Sequence, residues 1–493
     1  MELKIGRYND AWMDNALENF YSLLTTFDYN SEISKSLNKE YLQINCEKEV
    51  FKKVLIDIFE NYKKYVCVNQ IDENGVTKEF KKDFIIIQHK RKEEHINLNP
   101  KIFQNPKEEI SKLVDLLENG SKKCVFCGIS FKKNYSKLTQ GSYPFSTKIK
   151  SLNGIRTYKD GKYYSFKEYH DALCPLCYLI GQLGWLTDKL VYRSLVNINK
   201  SYLFLPVSDS LSVLHEFKED YSFLLNNNRW SNIKISSTNN KGEVTTGKFG
   251  TLLCFYSKFT QFLDEKFLNI YWNLIEIPLG KVKNVKSFEF FMDSLLLGII
   301  KKFVDDDEDI YVLFNSIFFI VDNSINNDLT NELRENLAES FLKNDFRRFT
   351  RNFIPKNGGK ISYSSKNIDF FKYFDFLIKL WRLNYMSISV DDLNCIKSVG
   401  NIIAKVSIIN SSLFYKLDKI KNLSEFWSCL REISRKLVSL EIDKTKIRES
   451  SLDELIILLK RDESNWKEIR DLLIIYAAMY YSIGSRNGDN NDD

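Results

Sequence analysis

Trp12, Ala16, Phe20 and Leu24 recur at helical spacing directly after Asn9 and Asp10, two residue types that cap helix N-termini. The pattern predicts a helix with one face in a core. A second helix is expected from about Glu47 to Tyr65. The segments around Val66 to Asn69 and Phe84 to His89 suit strands, with Glu73-Asn74-Gly75 as the turn signal. Asn105 at the cap, Pro106 at the first position and Glu108 three residues on from the cap open another helix, which Gly120 is expected to close just before Cys124.

Beyond Cys177 the apolar stretch YLIGQLGWL continues as a helix, and Tyr202 to Val207 and Leu268 to Pro278 read as strands. After Val285 the pattern is mainly helical. Leu423, Phe426, Trp427, Leu430, Ile433, Leu437 and Leu440 hold one helical face, Ser451 and Glu454 form a capping box, and Trp466, Ile469, Leu473, Tyr476 and Tyr480 mark a last helix. The fold class expected is α+β and multidomain. Its parts are an α/β N-terminal region (1–120), a knuckle subdomain with a basic insert (121–185), a mixed, mainly helical middle region (186–385), a C-terminal helical bundle (386–485) and a disordered tail (486–493).

At 493 residues the chain exceeds what one hydrophobic core serves. With 44% hydrophobic and 28% charged residues it has an ordinary globular composition, and 7 Pro and 19 Gly leave little for long disordered linkers. No apolar run reaches the 18 or so residues of a membrane span, and MELKIGRYND has no signal-peptide core, so a cytoplasmic protein with reduced thiols and no membrane association is expected.

Nine cysteines in such a compartment point to metal binding or burial. C-V-F-C-G at 124–128 and C-P-L-C at 174–177 each place two thiolates on one tight knuckle. Together Cys124, Cys127, Cys174 and Cys177 complete an all-thiolate tetrahedral shell suited to structural Zn2+. Gly128 lets the backbone fold back beneath the metal. Buried free thiols or a redox pair are the other readings of the quartet, and His170 is a candidate to replace one sulfur. Cys46, Cys67, Cys254, Cys395 and Cys429 stand alone and are expected in the core. A closed four-sulfur site has no position for substrate, so it shapes a fold and does no chemistry.

The 46 residues between the knuckles carry nine Lys/Arg against three Asp/Glu, a net +6 equal to that of the whole chain. Lys132, Lys133, Lys137, Lys148, Lys150, Arg156, Lys159 and Lys162 alternate with Tyr and Phe there, as suits a surface that neutralises phosphates and stacks on bases. A solvated loop or an acidic protein partner is the competing reading. Arg347, Arg348 and Arg351 form a weaker basic patch of the same kind. The acidic run DDDED at 305–309 reads as a solvated loop.

Three motifs mislead. Gly242 to Lys248 (GEVTTGK) matches a phosphate-binding loop until Phe249 stands where a hydroxyl should hold magnesium, although the run IFFIVD ending at Asp322 imitates the companion strand. His170-Asp171 lacks the further ligands of a metal phosphohydrolase. Four histidines offer no Ser/His/Asp set.

An α/β region containing NDAWMDNALENF, two C-x2-C knuckles around a basic insert and a C-terminal helical bundle together resemble the CXXC–CXXC large subunit of type I (I-B or I-A) CRISPR surveillance complexes (Cascade). The likeness spans most of the chain, and the cysteine quartet is its one sharp motif. It implies a non-enzymatic subunit that reads the short PAM in target double-stranded DNA. Such a subunit aids unwinding beside the crRNA and the other Cascade subunits, and recruits a separate helicase–nuclease, while base pairing supplies the remaining specificity. It also implies that Met386 could start a separately translated small subunit. A zinc-scaffolded interaction protein without a nucleic-acid role, or a metal-dependent nuclease or NTPase, are the alternatives.

Overall fold

The computed structural model describes residues 1–26, 32–61, 69–71, 77–79, 88–90, 93–95, 101–117, 120–124, 126–135, 157–159, 162–164, 173–184, 186–187, 189, 191–195, 200–227, 247–259, 267, 269–278, 286–291, 293–354, 359–385, 388–409, 412–439 and 450–488. The architecture is mixed, with helices, small antiparallel sheets and a C-terminal helical bundle. The chain forms two compact units, Met1–Lys234 with Phe262–Phe291, and Ile235–Gln261 with Met292–Asp493. Both expected segments 1–120 and 121–185 fall in the first unit, the segment 186–385 is divided between the two, and 386–485 lies in the second.

In the first unit β1 (Glu2–Gly6), β2 (Ser34–Leu37) and β3 (Tyr41–Asn45) make a sheet with β3 central, and α1 (Ala11–Thr26) runs through the core. Asp10 provides the cap of α1, accepting from the Met13 N–H at 2.9 Å, while Asn9 takes a left-handed φ of 56°. The expected face of α1 is buried, and so are Asp14, Asn15, Glu18 and Asn19 on its other sides. This helix is enclosed rather than amphipathic, and its amides act as staples to the backbone carbonyls of neighbouring segments. Asn15 donates to Pro206 O at 2.7 Å, and Asn19 donates to Leu183 O at 2.6 Å and Leu186 O at 2.9 Å. Buried amides of this kind are tolerated because each finds an acceptor.

Helix α2 (Lys48–Glu60) is shorter than expected. The hairpins β4 (Asn69–Ile71) with β5 (Thr77–Glu79), and β6 (Gln88–Lys90) with β7 (Glu93–His95), follow it. Parts of the expected strand segments lie outside the described residues. After the single turn α3 (Lys101–Gln104), α4 (Pro106–Asp115) starts at Asn105 as expected, but Asn105 Nδ2 bonds the Glu108 carboxylate at 2.7 Å instead of capping a backbone N–H. Gly120 does not terminate α4, which ends at Asp115. It sits where a Cβ would lie 2.4 Å from the Lys132 backbone, so its place is close approach to the strand carrying Phe131. That strand, β9 (Ser130–Phe131), pairs with β8 (Lys122–Lys123), and β10 (Thr157–Lys159) pairs with β11 (Lys162–Tyr164). Helix α5 (Pro175–Leu183) packs on α1, with the Trp12 indole donating to Gly181 O at 3.1 Å. A four-stranded meander, β12 (Val191–Leu195), β13 (Lys200–Val207), β14 (Tyr271–Pro278) and β15 (Lys286–Phe290), completes the unit with α6 (Leu211–Asn227).

The second unit begins with α7 (Lys248–Phe259), continues through α8 (Ser294–Asp305) and α9 (Ile310–Asn315), and holds the sheet β17–β16–β18 (Ser324–Ile325, Ile317–Val321, Lys360–Tyr363). These strands and β15 are the short strand segments within the mainly helical stretch expected after Val285. Helices α10 (Asn327–Leu342), α11 (Phe346–Arg351) and α12 (Phe370–Tyr385) lead into the bundle. The bundle consists of α13 (Val390–Ile409), α14 (Ser412–Lys419), α15 (Leu423–Ser439), α16 (Ser450–Arg461) and α17 (Trp466–Gly488). Ser451 lies inside α16, one residue past its start, so it is not the cap expected of it, and its carbonyl accepts from the Cys395 thiol. Helix α17 reaches Gly488, so three residues of the expected disordered tail are helical, and 489–493 lie outside the described residues.

The bundle does not stand apart from the residues before it. Asp375 on α12 accepts from Lys397 of α13 at 3.0 Å and from Tyr476 Oη of α17 at 3.1 Å, and Arg382 meets Glu468 at 3.0 Å. Met386 is outside the described residues. Among the described residues no helix is long and apolar enough to cross a membrane.

Candidate metal centre

The four cysteines meet at the core of the first unit. Cys174 is the N-cap of α5, with Pro175 at the first helical position, which puts Cys177 in the first turn. The chain following the α4 helix supplies the other pair from the β8–β9 hairpin. Here the Gly128 N–H bonds Cys124 O and the Cys124 N–H bonds Ile129 O, both at 3.0 Å. Gly128 has φ +74°, a conformation a side chain resists, and this closes the knuckle as its sequence position predicts.

All four sulfurs lie within 4.8 Å of one another, with Cys124 to Cys177 at 3.6 Å and Cys127 to Cys174 at 3.7 Å. A tetrahedral zinc with Zn–S bonds of about 2.3 Å has sulfur–sulfur edges of about 3.8 Å. A disulfide needs about 2.05 Å, and all four cysteines are free. The donor set and its spacing therefore fit a four-coordinate metal ion. Backbone amides face the sulfurs, as zinc knuckles require: Cys174 N–H points at Cys124 Sγ at 3.4 Å, and Cys177 N–H at Cys174 Sγ at 3.3 Å.

The site's electrostatics favour a cation. Hydrogen bonds from the Cys127, Cys174 and Cys177 thiols hold Cys124 well below the usual thiol range. The bond to Cys124 pushes the Cys174 thiol up, and burial followed by the same sulfur pushes Cys177 up. Thiolates this close repel one another strongly. A divalent cation is what permits all four to ionise.

Sequence reasoning missed Tyr8. Its ring is buried, its hydroxyl lies 3.4 Å from Cys177 Sγ, and its backbone N–H bonds Asp14 Oδ1 at 2.6 Å. The Cys177 thiol donates to the Tyr8 oxygen. Burial, then the neighbouring Cys177, raises the Tyr8 phenol, so it stays protonated and would donate back to that sulfur once the sulfur is a metal-bound thiolate. Tyr135 was missed as well. Its ring lies 4.9 Å from that of Tyr178, and its hydroxyl donates to Glu109, tying the start of the insert to α4 and α5. Neither tyrosine carries a local motif, since each acts through long-range packing.

Lys132 and Lys133 are exposed just after β9. Lys122 and Lys123, which precede the insert and were not singled out, are exposed on the partner strand β8, so one hairpin carries four lysines beside the metal centre. The backbones of Lys159 and Lys162 face each other in the β10–β11 hairpin. Lys137, Lys148, Lys150, Arg156, His170 and Asp171 lie outside the described residues, as does Cys67. Cys46, Cys254, Cys395 and Cys429 are buried singly, as expected.

Arg347, Arg348 and Arg351 are engaged within the second unit. Arg347 reaches Asp471 at 2.6 Å and Asp418 at 2.5 Å, Arg351 reaches Asp418 at 3.2 Å, and Arg348 reaches Glu339 at 2.6 Å. The phosphate-loop imitation is also explained. Lys248 starts α7, and the Glu335 carboxylate accepts from the Phe249 N–H at 2.8 Å and the Gly250 N–H at 2.9 Å. The protein's own carboxylate therefore fills the anion position of that helix terminus, and a Cβ at Gly247 would lie 2.3 Å from Glu335 Cδ. The strand β16 is paired antiparallel on both sides, unlike the parallel companion strand of a nucleotide site.

One Ser–His–Glu group does occur, on α1 and α6. Ser22 Oγ and Glu18 Oε1 both approach His215 Nδ1, at 3.3 and 2.8 Å. A nucleophile and an orienting carboxylate must use opposite ring nitrogens, so this is a packing cluster around the buried Glu18–Lys218 ion pair. No family model matches the chain, and no match is found among curated proteins.

Proposed function

We propose that this chain is a non-catalytic, zinc-stapled cytoplasmic scaffold that serves as the large subunit of a type I crRNA-guided CRISPR complex. In this reading Cys124, Cys127, Cys174 and Cys177 bind Zn2+, and the lysines of the β8–β9 hairpin with those of the insert contact the PAM-proximal DNA duplex. Its partners are the other Cascade subunits, crRNA, target double-stranded DNA and a recruited helicase–nuclease. The observation that supports it most is the four-sulfur cluster, which is closed to substrate and directly carries the base of a strongly cationic insert.

The test is to purify the chain with its neighbouring gene products and crRNA and to measure binding to duplexes with and without candidate PAMs over a salt series. PAM-dependent binding lost on omitting this chain supports the reading. PAM preference that persists without it overturns the reading.

A zinc-scaffolded interaction protein with no nucleic-acid role is the second reading. It is favoured by the pairing of Arg347, Arg348 and Arg351 with carboxylates of their own unit, which offsets part of the charge of that basic patch.

A further inference from the structure

The two halves of the metal centre are built differently. The Cys174–Cys177 half belongs to α5, every residue of which is buried. That helix is held in place without any metal: the Trp12 indole bonds Gly181 O, the Asn19 amide bonds Leu183 O and Leu186 O, and α1 packs along its length. The Cys124–Cys127 half belongs to a hairpin whose strands are two residues each. Such a ribbon has little stability of its own.

The four sulfurs are also unequal. Cys124, Cys174 and Cys177 are 2%, 2% and 1% exposed, whereas Cys127 is partly exposed. Cys124 receives the Cys174 N–H, Cys174 receives the Cys177 N–H, and Cys177 has the Tyr8 hydroxyl. Among the described residues the polar contacts of Cys127 Sγ are the other sulfurs of the cluster, Cys174 at 3.7 Å among them, with no N–H or O–H donor. Donated hydrogen bonds withdraw charge from a thiolate and lower its nucleophilicity, and burial denies access to it. Both effects spare Cys127.

We propose that Cys127 is the exchanging ligand of the centre, the sulfur through which the metal enters and leaves and the one that electrophiles modify first. This rests on the metal reading above. Three sulfurs form a prepared cradle, and Cys127 closes it. When Cys127 Sγ attacks the carbon of an alkylating agent such as iodoacetamide, a thioether forms, iodide leaves, and the metal loses one of its four thiolates. The first knuckle, which the metal clips to α5, then opens, while α5 stays seated on α1.

The experiment uses the full chain as purified, with its metal content measured. Limiting iodoacetamide is followed by denaturation with chelator, capping of the remaining thiols with N-ethylmaleimide, and peptide mass mapping, with metal release followed in parallel by a chromogenic chelator. The expected result is label at Cys127 several-fold ahead of Cys124, Cys174 and Cys177, with metal release at the same rate as Cys127 labelling. A metal-loaded chain labelled first at one of the other three, or equally at all four, overturns this inference and leaves the metal reading standing. A folded chain with no metal overturns the metal reading and this inference together.

Discussion

Arg347 donates from Nη1 to Asp471 Oδ1 at 2.6 Å, joining α11 to the last helix of the bundle, and from Nη2 to both the carboxylate and the carbonyl of Asp418. A residue that reads as a phosphate contact in the sequence is a cross-brace in the fold. Asp471 is 5% exposed, and its burial raises its carboxyl above the ordinary value despite Arg470 and Arg347.

Replacing Arg347 by Ala is therefore expected to cost stability, about 1.5–3 kcal/mol for lost bonds to charged groups. Under the proposed function, duplex binding by the complex should be unchanged under conditions where the variant stays folded. Charge reversal at Lys122, Lys123, Lys132 and Lys133 should do the opposite, weakening binding and flattening its salt dependence at little cost in stability. Chemical denaturation beside a salt-series binding assay separates the two.

The Glu18–Lys218 pair lies between α1 and α6, and both side chains are almost fully buried. Burial alone would raise Glu18, but Lys218 and the His215 hydrogen bond outweigh it and bring the carboxyl to about 2. A depressed carboxylate contributes stability that is present above its unfolded value and is lost as pH falls through the folded one. Acid unfolding of the first unit should therefore steepen between about pH 4.5 and pH 2. Glu18→Gln, which strands Lys218, should cost about 3–5 kcal/mol in urea denaturation at pH 7. An unchanged midpoint would remove the pair from the account.

Asp14 has the opposite sign. Burial raises its carboxyl to about 7, and its Oδ2 is buried without a hydrogen-bond partner. Because the folded state prefers the protonated acid, this group's contribution to stability is complete below the unfolded value and is lost as pH rises through about 7. Asp14→Asn keeps an acceptor for the Tyr8 N–H and stays neutral. It should raise Tm at pH 8 relative to the wild type and do little at pH 4, with a ceiling of about 4 kcal/mol. Equal effects at both pH values would contradict it.

Glu335 stands where a nucleotide phosphate would have to sit, so magnesium with ATP is expected to leave Tm unchanged. Glu335→Gln exchanges one acceptor for a donor against the Phe249 and Gly250 N–H groups and should cost about 1–3 kcal/mol. A magnesium-dependent thermal shift with ATP would reopen the nucleotide reading.

Much of this was legible from local signals. The cap at Asp10, the periodicity of Trp12 to Leu24, the two knuckles and the turn glycine Gly128 are short-range patterns, and the structure reproduces them. What was not legible depends on distant partners. Strand β16 lies in an apolar run whose period does not distinguish strand from buried helix, and β17 and β18 are short mixed segments that become strands only by pairing with it. Tyr8 reaches Cys177, and Tyr135 reaches Glu109 and Tyr178, only through packing. The arginines at 347, 348 and 351 read as one basic patch, and a charge run does not reveal which of its members also pair with acids from other helices.

The central claim is that the four-sulfur cluster is an occupied structural metal site, and the most direct measurement is the metal content of the purified full chain by elemental analysis beside a thiol count. The account predicts one zinc per chain, lost together with folded stability under strong chelation, and less metal retained in Cys174→Ser and Cys177→Ser variants. A folded chain with no bound metal and four titratable thiols at these positions would contradict it.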